Sequence, residues 1–359
     1  MMNVRRFSGN SFVGIAVVIV LVAGTLVSCA RERDDAHDDA DVSEISIEPD
    51  SSAPAYREAL GCRHAESPYR PGASIRGSML AGEEAGGRRG FRVYVPTSYR
   101  PGTPTPMVMM FHGVVSDPVK IQNKLSFMND VAEREGFVVV WPEGKGRIHT
   151  WNAGVCCGTA MEVDLDDVTF VRNLMDLIDD QLCVDHDRVH AAGMSNGGIF
   201  TLRLACEMSD EFASVGLVAG TDTELDCTPT SPVSVLQIHG SEDLIVPYNG
   251  GLGCGIFQID FPSVPNTQSA WAERLGCTGS SEPWQSTSDT ECTLRADCPP
   301  GVDLGLCTVA GGGHQWPGNG ESIYYNDCPE DGDKTESFAA SQMLWDFFRS
   351  HPKVRSEPR

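Results

Sequence analysis

Arg188-Val189-His190-Ala191-Ala192-Gly193-Met194-Ser195-Asn196-Gly197-Gly198 is the stretch that decides the fold of this 359-residue chain. Its first five residues read as a strand running into Gly193, and a helix is expected over roughly 197–208. Gly193-Met194-Ser195-Asn196-Gly197 is a GxSxG match, weak by itself: with 37 glycines, chance supplies roughly a quarter of one such match. The strand-turn-helix setting is the informative part. A serine on that turn is held in a strained backbone conformation, and the flanking glycines let strand and helix approach closely. The turn pushes the serine hydroxyl over the C-terminal edge of a sheet, beside a helix N-terminus. The competing reading is a glycine-rich crossing that carries no chemistry.

Working outward, strand and helix signals alternate. Phe91–Val95 alternates at period two, while Met107–Phe111 and Phe137–Trp141 are continuous apolar runs suited to strands buried on both faces. Residues 120–135 carry Ile121, Leu125, Met128, Val131 and Ala132 on one helical stripe, and residues 166–182 carry Val168, Val171, Leu174, Met175 and Ile178. Further strands are expected at 215–219, 233–238 and 302–309, with helices at 267–275 and 335–349. Repeated βα units imply an α/β fold: a mostly parallel central sheet with helices on both faces. Residues 250–300, irregular and holding Cys254, Cys277, Cys292 and Cys298, read as a disulfide-braced insertion, of the kind that often covers a pocket.

A serine hydroxyl needs a base to act as a nucleophile, and the base needs a carboxylate to fix its tautomer. In α/β-hydrolase folds with this elbow the chain order is Ser, then Asp or Glu, then His. Downstream of Ser195, Val235–Gly240 leaves a strand and Asp243 lies three residues beyond it. Cys307–Ala310 ends another strand, and Gly311-Gly312-Gly313 leads to His314. Both positions follow strand C-termini, where sheet topology places sites. The expected triad is therefore Ser195, Asp243 and His314. Glu242 should point away, Asp222 and Asp226 are weaker candidates for the acid, and His239 reads as a packed imidazole. His186 and His190 precede the nucleophile and fit the order poorly. Oxyanion donors are expected from the backbone N–H groups of Asn196 and Val114. His112 either shapes that loop or only packs. Trp141, Trp151, Tyr248 and Trp316 either frame the pocket or cap the core beside it.

Composition sets the surroundings. Fifty acidic against 27 basic residues give a net charge of −23, which excludes a nucleic-acid partner on electrostatic grounds. Thirteen cysteines without a CxxC pair point to disulfides and an oxidising compartment rather than to a metal site. Residues 1–28 look like an export signal: Arg5 and Arg6, an apolar run from Phe12 to Val27, then Leu26-Val27-Ser28-Cys29. That ending resembles a bacterial lipobox, in which Cys29 carries the lipid. An uncleaved membrane anchor and a plain secretory signal are the alternatives. Setting Cys29 aside leaves twelve cysteines, enough for up to six disulfides. Residues 29–60, with ten acids and three bases, read as a disordered tether, and residues 61–355 as the catalytic domain. No pattern in the chain sets an oligomeric state.

Taken together, several runs resemble one known group: the esterase family of polyhydroxybutyrate depolymerases, feruloyl esterases and acetylxylan esterases. They are Phe111-His112-Gly113, Thr150–Gly154 with Cys156-Cys157-Gly158, Asp166-Asp167-Val168, Gly193–Gly198, His239–Asp243 with Val246-Pro247-Tyr248, and Gly313–Gly318. The resemblance spans roughly residues 88–350. It implies hydrolysis of small or polymeric carboxylic esters through an acyl-enzyme, without metal or organic cofactor, on Ser195, Asp243 and His314. Feruloyl, acetyl and short hydroxyacyl esters are the substrates it implies. Short secreted polyester depolymerases of the group often carry a cysteine where this chain has Val114, and no polymer-binding module is visible, which argues against an insoluble polyester. A serine peptidase of related fold and an inactive surface-binding scaffold are the competing readings. Membrane contact is expected only through a lipid on Cys29. Labelled palmitate should therefore enter the wild-type protein and not Cys29→Ser; an unlabelled wild type would exclude the lipoprotein.

Overall fold

The computed structural model describes residues 60–354 except 155, 223–226, 256–257 and 324–326. The expected leader, Cys29 and the tether lie outside the described residues, as does Asp226. In chain order the strands are β1 (Ser74–Leu80), β2 (Arg88–Tyr94), β3 (Thr105–Phe111), β4 (Val138–Pro142), β5 (Val184–Met194) and β6 (Ser214–Val218). They continue with β7 (Ser234–Gly240), β8 (Gly251–Leu252), β9 (Asp260–Phe261), β10 (Ser281–Ser286), β11 (Thr290–Arg295) and β12 (Leu304–Val309). The helices are α1 (Pro118–Lys120), α2 (Met128–Glu135), α3 (Gly158–Glu162), α4 (Asp167–Gln181), α5 (Asn196–Glu207), α6 (Val264–Leu275) and α7 (Ala340–Ser350).

Ten strands form one sheet in the order β1-β2-β4-β3-β5-β6-β7-β12-β11-β10. From β4 to β12 neighbours run parallel, and two antiparallel strands flank that centre on each side. The continuous apolar runs explain the layering. Met107, Met109 and Phe111 of β3 enter one core with α4, α5 and α6, whereas Val108 and Met110 enter the other with α2 and α7. Alternation at period two thus feeds both faces, which gives the α/β sandwich expected from the sequence.

Three local outcomes differ from the sequence reading. The single helix expected over 120–135 is broken: Ile121–Ser126 winds as a π-helix and Phe127 turns left-handed at φ 51° before α2 begins. The apolar stripe stays buried on both sides of the break. The last helix starts at Ala340, not 335, because the preceding residues are tied elsewhere. The Thr335 carbonyl accepts from Gly318 N, the Thr335 hydroxyl donates to Asp289, and Ala340 N donates to the Pro317 carbonyl. Residues 250–300 are disulfide-braced, yet largely regular. They supply α6 and the β10–β11 hairpin that widens the sheet.

All twelve cysteines of the described residues are paired. Cys292–Cys307 ties β11 to β12, Cys277–Cys298 ties the end of α6 to the chain after β11, and Cys254–Cys328 joins two loops. Cys62–Cys183, Cys206–Cys227 and Cys156–Cys157 complete the set.

One buried ion pair props the site-bearing side of the sheet. Arg89 Nη1 lies 2.8 Å from Asp167 Oδ1 with both side chains almost wholly buried. Its guanidinium lies 4.0 Å above the Phe170 ring, and Nη2 donates to the Glu143 carbonyl at 3.0 Å. The other Asp167 oxygen accepts from Asn152 N at 2.8 Å, next to Trp151. Removing one partner strands the other charge in the core, which typically costs about 3–5 kcal/mol. Arg89→Met should lower unfolding free energy by about that amount in urea titrations; a loss under about 1 kcal/mol would show the pair to be unimportant.

Candidate active site

Ser195 sits between β5 and α5 at φ 55°, ψ −126°, a combination that side-chain-bearing residues avoid. The surroundings hold it there. Ser195 N donates to the Val218 carbonyl at 2.9 Å, and its own carbonyl accepts from Ile199 N at 2.8 Å. A β-carbon on Gly197 would collide with the carbonyls of Phe111 and His112, and one on Gly193 with the carbonyl of Gly197. The glycines of the motif are therefore what lets α5 begin against the strand ends.

Asp243 and His314 come from the loops after two adjacent parallel strands, with Gly240 of β7 opposite Val309 of β12. Asp243 Oδ2 lies 2.8 Å from His314 Nδ1. Its Oδ1 accepts from Ile245 N at 2.9 Å and Val246 N at 2.8 Å. His239 is buried, as its reading as a packed imidazole requires, but it also faces the acid: Nε2 donates to the Val246 carbonyl at 2.8 Å and lies 3.3 Å from Asp243 Oδ2. Burial pushes the Asp243 carboxyl up. The charge of His314 and hydrogen bonds from His239 and His314 outweigh that and hold it well below the usual carboxylate range. For His314, burial pushes the imidazole down, but Asp243 and, more weakly, Asp331 raise it above its ordinary value. Among the other acids considered, Glu242 is exposed, and Asp222 pairs with Arg274 of α6.

The loop after β3 completes the floor. A β-carbon on Gly113 would stand 3.2 Å from Ser195 Cβ and 3.8 Å from its Oγ, so this loop runs directly beside the hydroxyl. His112 lies beneath it, wholly buried. Gly144 N donates into its Nε2 at 2.9 Å, so Nδ1 carries the proton and donates to the Gly113 carbonyl at 2.8 Å. Burial pushes this imidazole down to about 4, so it is neutral and shapes the loop. The Asn196 side chain turns away from the cavity. Its Oδ1 accepts from Trp151 N at 2.8 Å, and its Nδ2 donates to the carbonyls of Trp151 at 3.0 Å and Cys156 at 3.2 Å.

These elements enclose a cavity of about 320 Å³. Ser195, His314, Gly113 and Val114 line it together with Ile199, Ile245, Val246, Phe261, Ile323 and the Cys156–Cys157 pair. The aromatic residues considered from sequence lie elsewhere. Trp151 is buried behind the loop, stacked 5.3 Å from Phe200, with Nε1 donating to the His112 carbonyl. Trp316 lies in the opposite core with Nε1 3.2 Å from the Ser341 hydroxyl. Tyr248 shares a hydrogen bond with Thr308, and Trp141 donates to Asn129. All four would have to leave partners inside the fold to reach a ligand. The apolar wall was missed because its residues are scattered over separate loops, helix α5 and strand β9; only the adjacent cysteines gave a local signal. No group of three potential metal ligands occurs among the described residues.

Comparison with known proteins gives consistent findings. A family model described as "Putative esterase" matches residues 82–311. "Feruloyl esterase B" of Piromyces equi is 32% identical over 231 residues, covering 62% of this chain and 42% of that protein. "Bifunctional acetylxylan esterase/xylanase XynS20E" of Neocallimastix patriciarum is 26% identical over 234 residues, 64% of this chain and 31% of that one. The chain thus spans less than half the length of these two relatives. Among solved structures, an acetyl xylan esterase from Aspergillus awamori superposes with a TM-score of 0.51 at 16% identity, over 68% of this chain and 94% of that one. At that identity the likeness concerns the fold.

The Asn196 side chain gives a direct check on this geometry. Asn196→Ala removes the partner of Trp151 N and of the Trp151 carbonyl, while the Cys156 carbonyl keeps Ala153 N; buried groups left unpaired cost about 1–3 kcal/mol each. A drop of about 3 kcal/mol in unfolding free energy is expected, and a change below about 0.5 kcal/mol would mean the loop is held by other contacts.

Proposed function

Because the chain belongs to the esterase family whose model spans residues 82–311, we propose that it is a serine ester hydrolase acting through a Ser195–His314–Asp243 triad. The observation that carries this reading is the cavity: Ser195 and His314 open onto it together, and Asp243 is bonded to His314 from behind. In the first step Ser195 Oγ attacks the ester carbonyl carbon while His314 Nε2 takes its proton. The N–H groups of Asn196 and Val114 receive the oxyanion. Collapse breaks the bond to the alcohol oxygen, and the imidazolium returns its proton to that oxygen, releasing the alcohol. Water, deprotonated by His314, then attacks the acyl-enzyme, and the acid leaves with Ser195 restored.

The cavity argues about substrate size. About 320 Å³ is at the small end of ligand pockets, which run from about 300 to 1,000 Å³. Such a space suits a short or single-ring acyl group with the rest of the molecule outside. Largely apolar walls, Phe261 among them, favour an uncharged group. The relatives named for feruloyl and acetylxylan esters support acetyl or feruloyl esters of plant polysaccharide, with short hydroxyacyl esters also within reach. Export belongs to the same reading. Six disulfides among the described residues suit an oxidising compartment, and lipidation of Cys29 would tether the enzyme to a membrane surface.

Hydrolysis of p-nitrophenyl acetate and butyrate, methyl ferulate, acetylated xylan and a hydroxybutyrate oligomer tests the reading. Ser195→Ala should lower kcat at least about 10⁴-fold; equal activity would refute the nucleophile. His314 acts as base only when neutral, and its partners raise its pKa. Activity should therefore be lost on acidification with a midpoint above about 6.5, the ordinary imidazole value. A profile flat down to about pH 4 would exclude this base.

A further inference from the structure

Residues 327–335 run as a strap along the two loops that carry the acid and the base. Asp331 is the point of contact. Its Oδ1 accepts from Leu244 N at 2.9 Å, the residue directly after Asp243, and its Oδ2 accepts from His314 N at 2.8 Å. The flanking backbone continues the seam. Gly332 N donates to the Glu242 carbonyl at 3.2 Å, Gly313 N to the Asp333 carbonyl at 3.0 Å, and Asp333 N to the Gly311 carbonyl at 3.1 Å. A β-carbon on Gly313 would fall on the Gly332 carbonyl and the Asp331 carboxylate, so the glycine at 313 is what lets the strap lie this close. Cys328, three residues before Asp331, is bonded to Cys254, whose N–H donates to the Leu244 carbonyl at 2.7 Å. The strap is therefore fastened back onto the acid loop.

Apart from the hydrogen bond between the Asp243 and His314 side chains, the direct links between the two loops stop short of these residues. Ser241 N donates to the Val309 carbonyl, the Ser241 hydroxyl accepts from Gly311 N, and Glu242 N donates to the Gly312 carbonyl. At His314 and Leu244 themselves, the Asp331 carboxylate is the group that takes a backbone N–H from each loop. We propose that Asp331 is a positioning residue for hydrolysis, fixing the His314 backbone against that of Asp243 by accepting an N–H from each loop. The proposal rests on the triad reading given above.

Asp331 also adds charge. Around His314 the charged groups are Asp243 from the loop after β7 and Asp331 from the strap; His239 faces Asp243 from the other side, and Lys120 and Asp327 stand farther out on the cavity wall. A second carboxylate near the ring adds to the effect of Asp243 in favouring the imidazolium, so it contributes to where the acid limb of the activity profile falls.

The test is Asp331→Asn, which keeps the shape and loses the charge and one of the two acceptors. Activity on p-nitrophenyl butyrate should be followed across pH, with circular dichroism and thermal melts of the same samples. Expected are a kcat about 10- to 100-fold lower, the size of effect that small displacements of catalytic groups produce, and a KM within about two-fold of wild type. The acid limb should move to lower pH. Asp331→Ala should lose more; where it does not fold, the asparagine variant decides. A purely structural residue would lower the melting temperature while leaving kcat per folded molecule and the acid limb in place, and that outcome would overturn the proposal. So would a limb that moves to higher pH. Full activity in Ser195→Ala would sink the triad reading itself, whereas an inactive Ser195→Ala beside a fully active Asp331→Asn would sink only the role of Asp331.

Discussion

Helix α5 begins with its backbone against the carbonyl oxygens of Phe111 and His112, leaving no room for a β-carbon at Gly197. That steric constraint joins three things at one point: the end of β3, the end of β5 and the first turn of α5. There Ser195 takes its positive φ and Gly113 lies beside the hydroxyl. The same closeness turns the Asn196 side chain toward residues 151–156, where it binds both sides of the Trp151 peptide. Position of Ser195, floor of the cavity and placement of the loop behind it all meet at one contact between glycine and backbone.

Around that contact the sheet edge is rich in buried polar groups, which are costly unless paired. The fold meets the cost locally. His112 is kept neutral and used at both nitrogens. Asp243 carries its charge among two backbone N–H groups and two imidazoles. Arg89 and Asp167 neutralise each other beneath Trp151. Each arrangement fixes a loop as well as a charge, so rigidity and electrostatics at the site have the same origin.

The sheet centre and the three residues Ser195, Asp243 and His314 that the fold gathers at one cavity were legible because their signals are local. A continuous apolar strand, a glycine-flanked serine and polar residues just past strand ends each declare themselves within about ten positions. What was not legible depends on distant partners. Trp151 and Trp316 sit in motif-rich runs, but which way an indole points is decided by Phe200 and Ser341 far along the chain. His239 reaches the Asp243 carboxylate with its ring, and the Asp331 carboxylate takes the N–H groups of Leu244 and His314, contacts that no residue pattern announces. The β10–β11 hairpin hid in the region read as an insertion because β10 is almost wholly exposed and so lacks the apolar alternation by which strands are recognised. The break at Phe127 was invisible because its buried stripe keeps helical spacing across the interruption.

That exposed strand has a consequence for how molecules meet one another. A ten-stranded sheet ends in two open ladders of backbone donors and acceptors, and such edges invite another chain to add on. β10 closes its side with Glu282, with Pro283, which has no N–H to offer, and with a register shift between Pro283 and Gln285. At the far side β1 places the exposed Arg76 mid-strand. Both borders of the sheet, among the described residues, are thus poor templates, and neighbouring molecules are kept from fusing edge to edge.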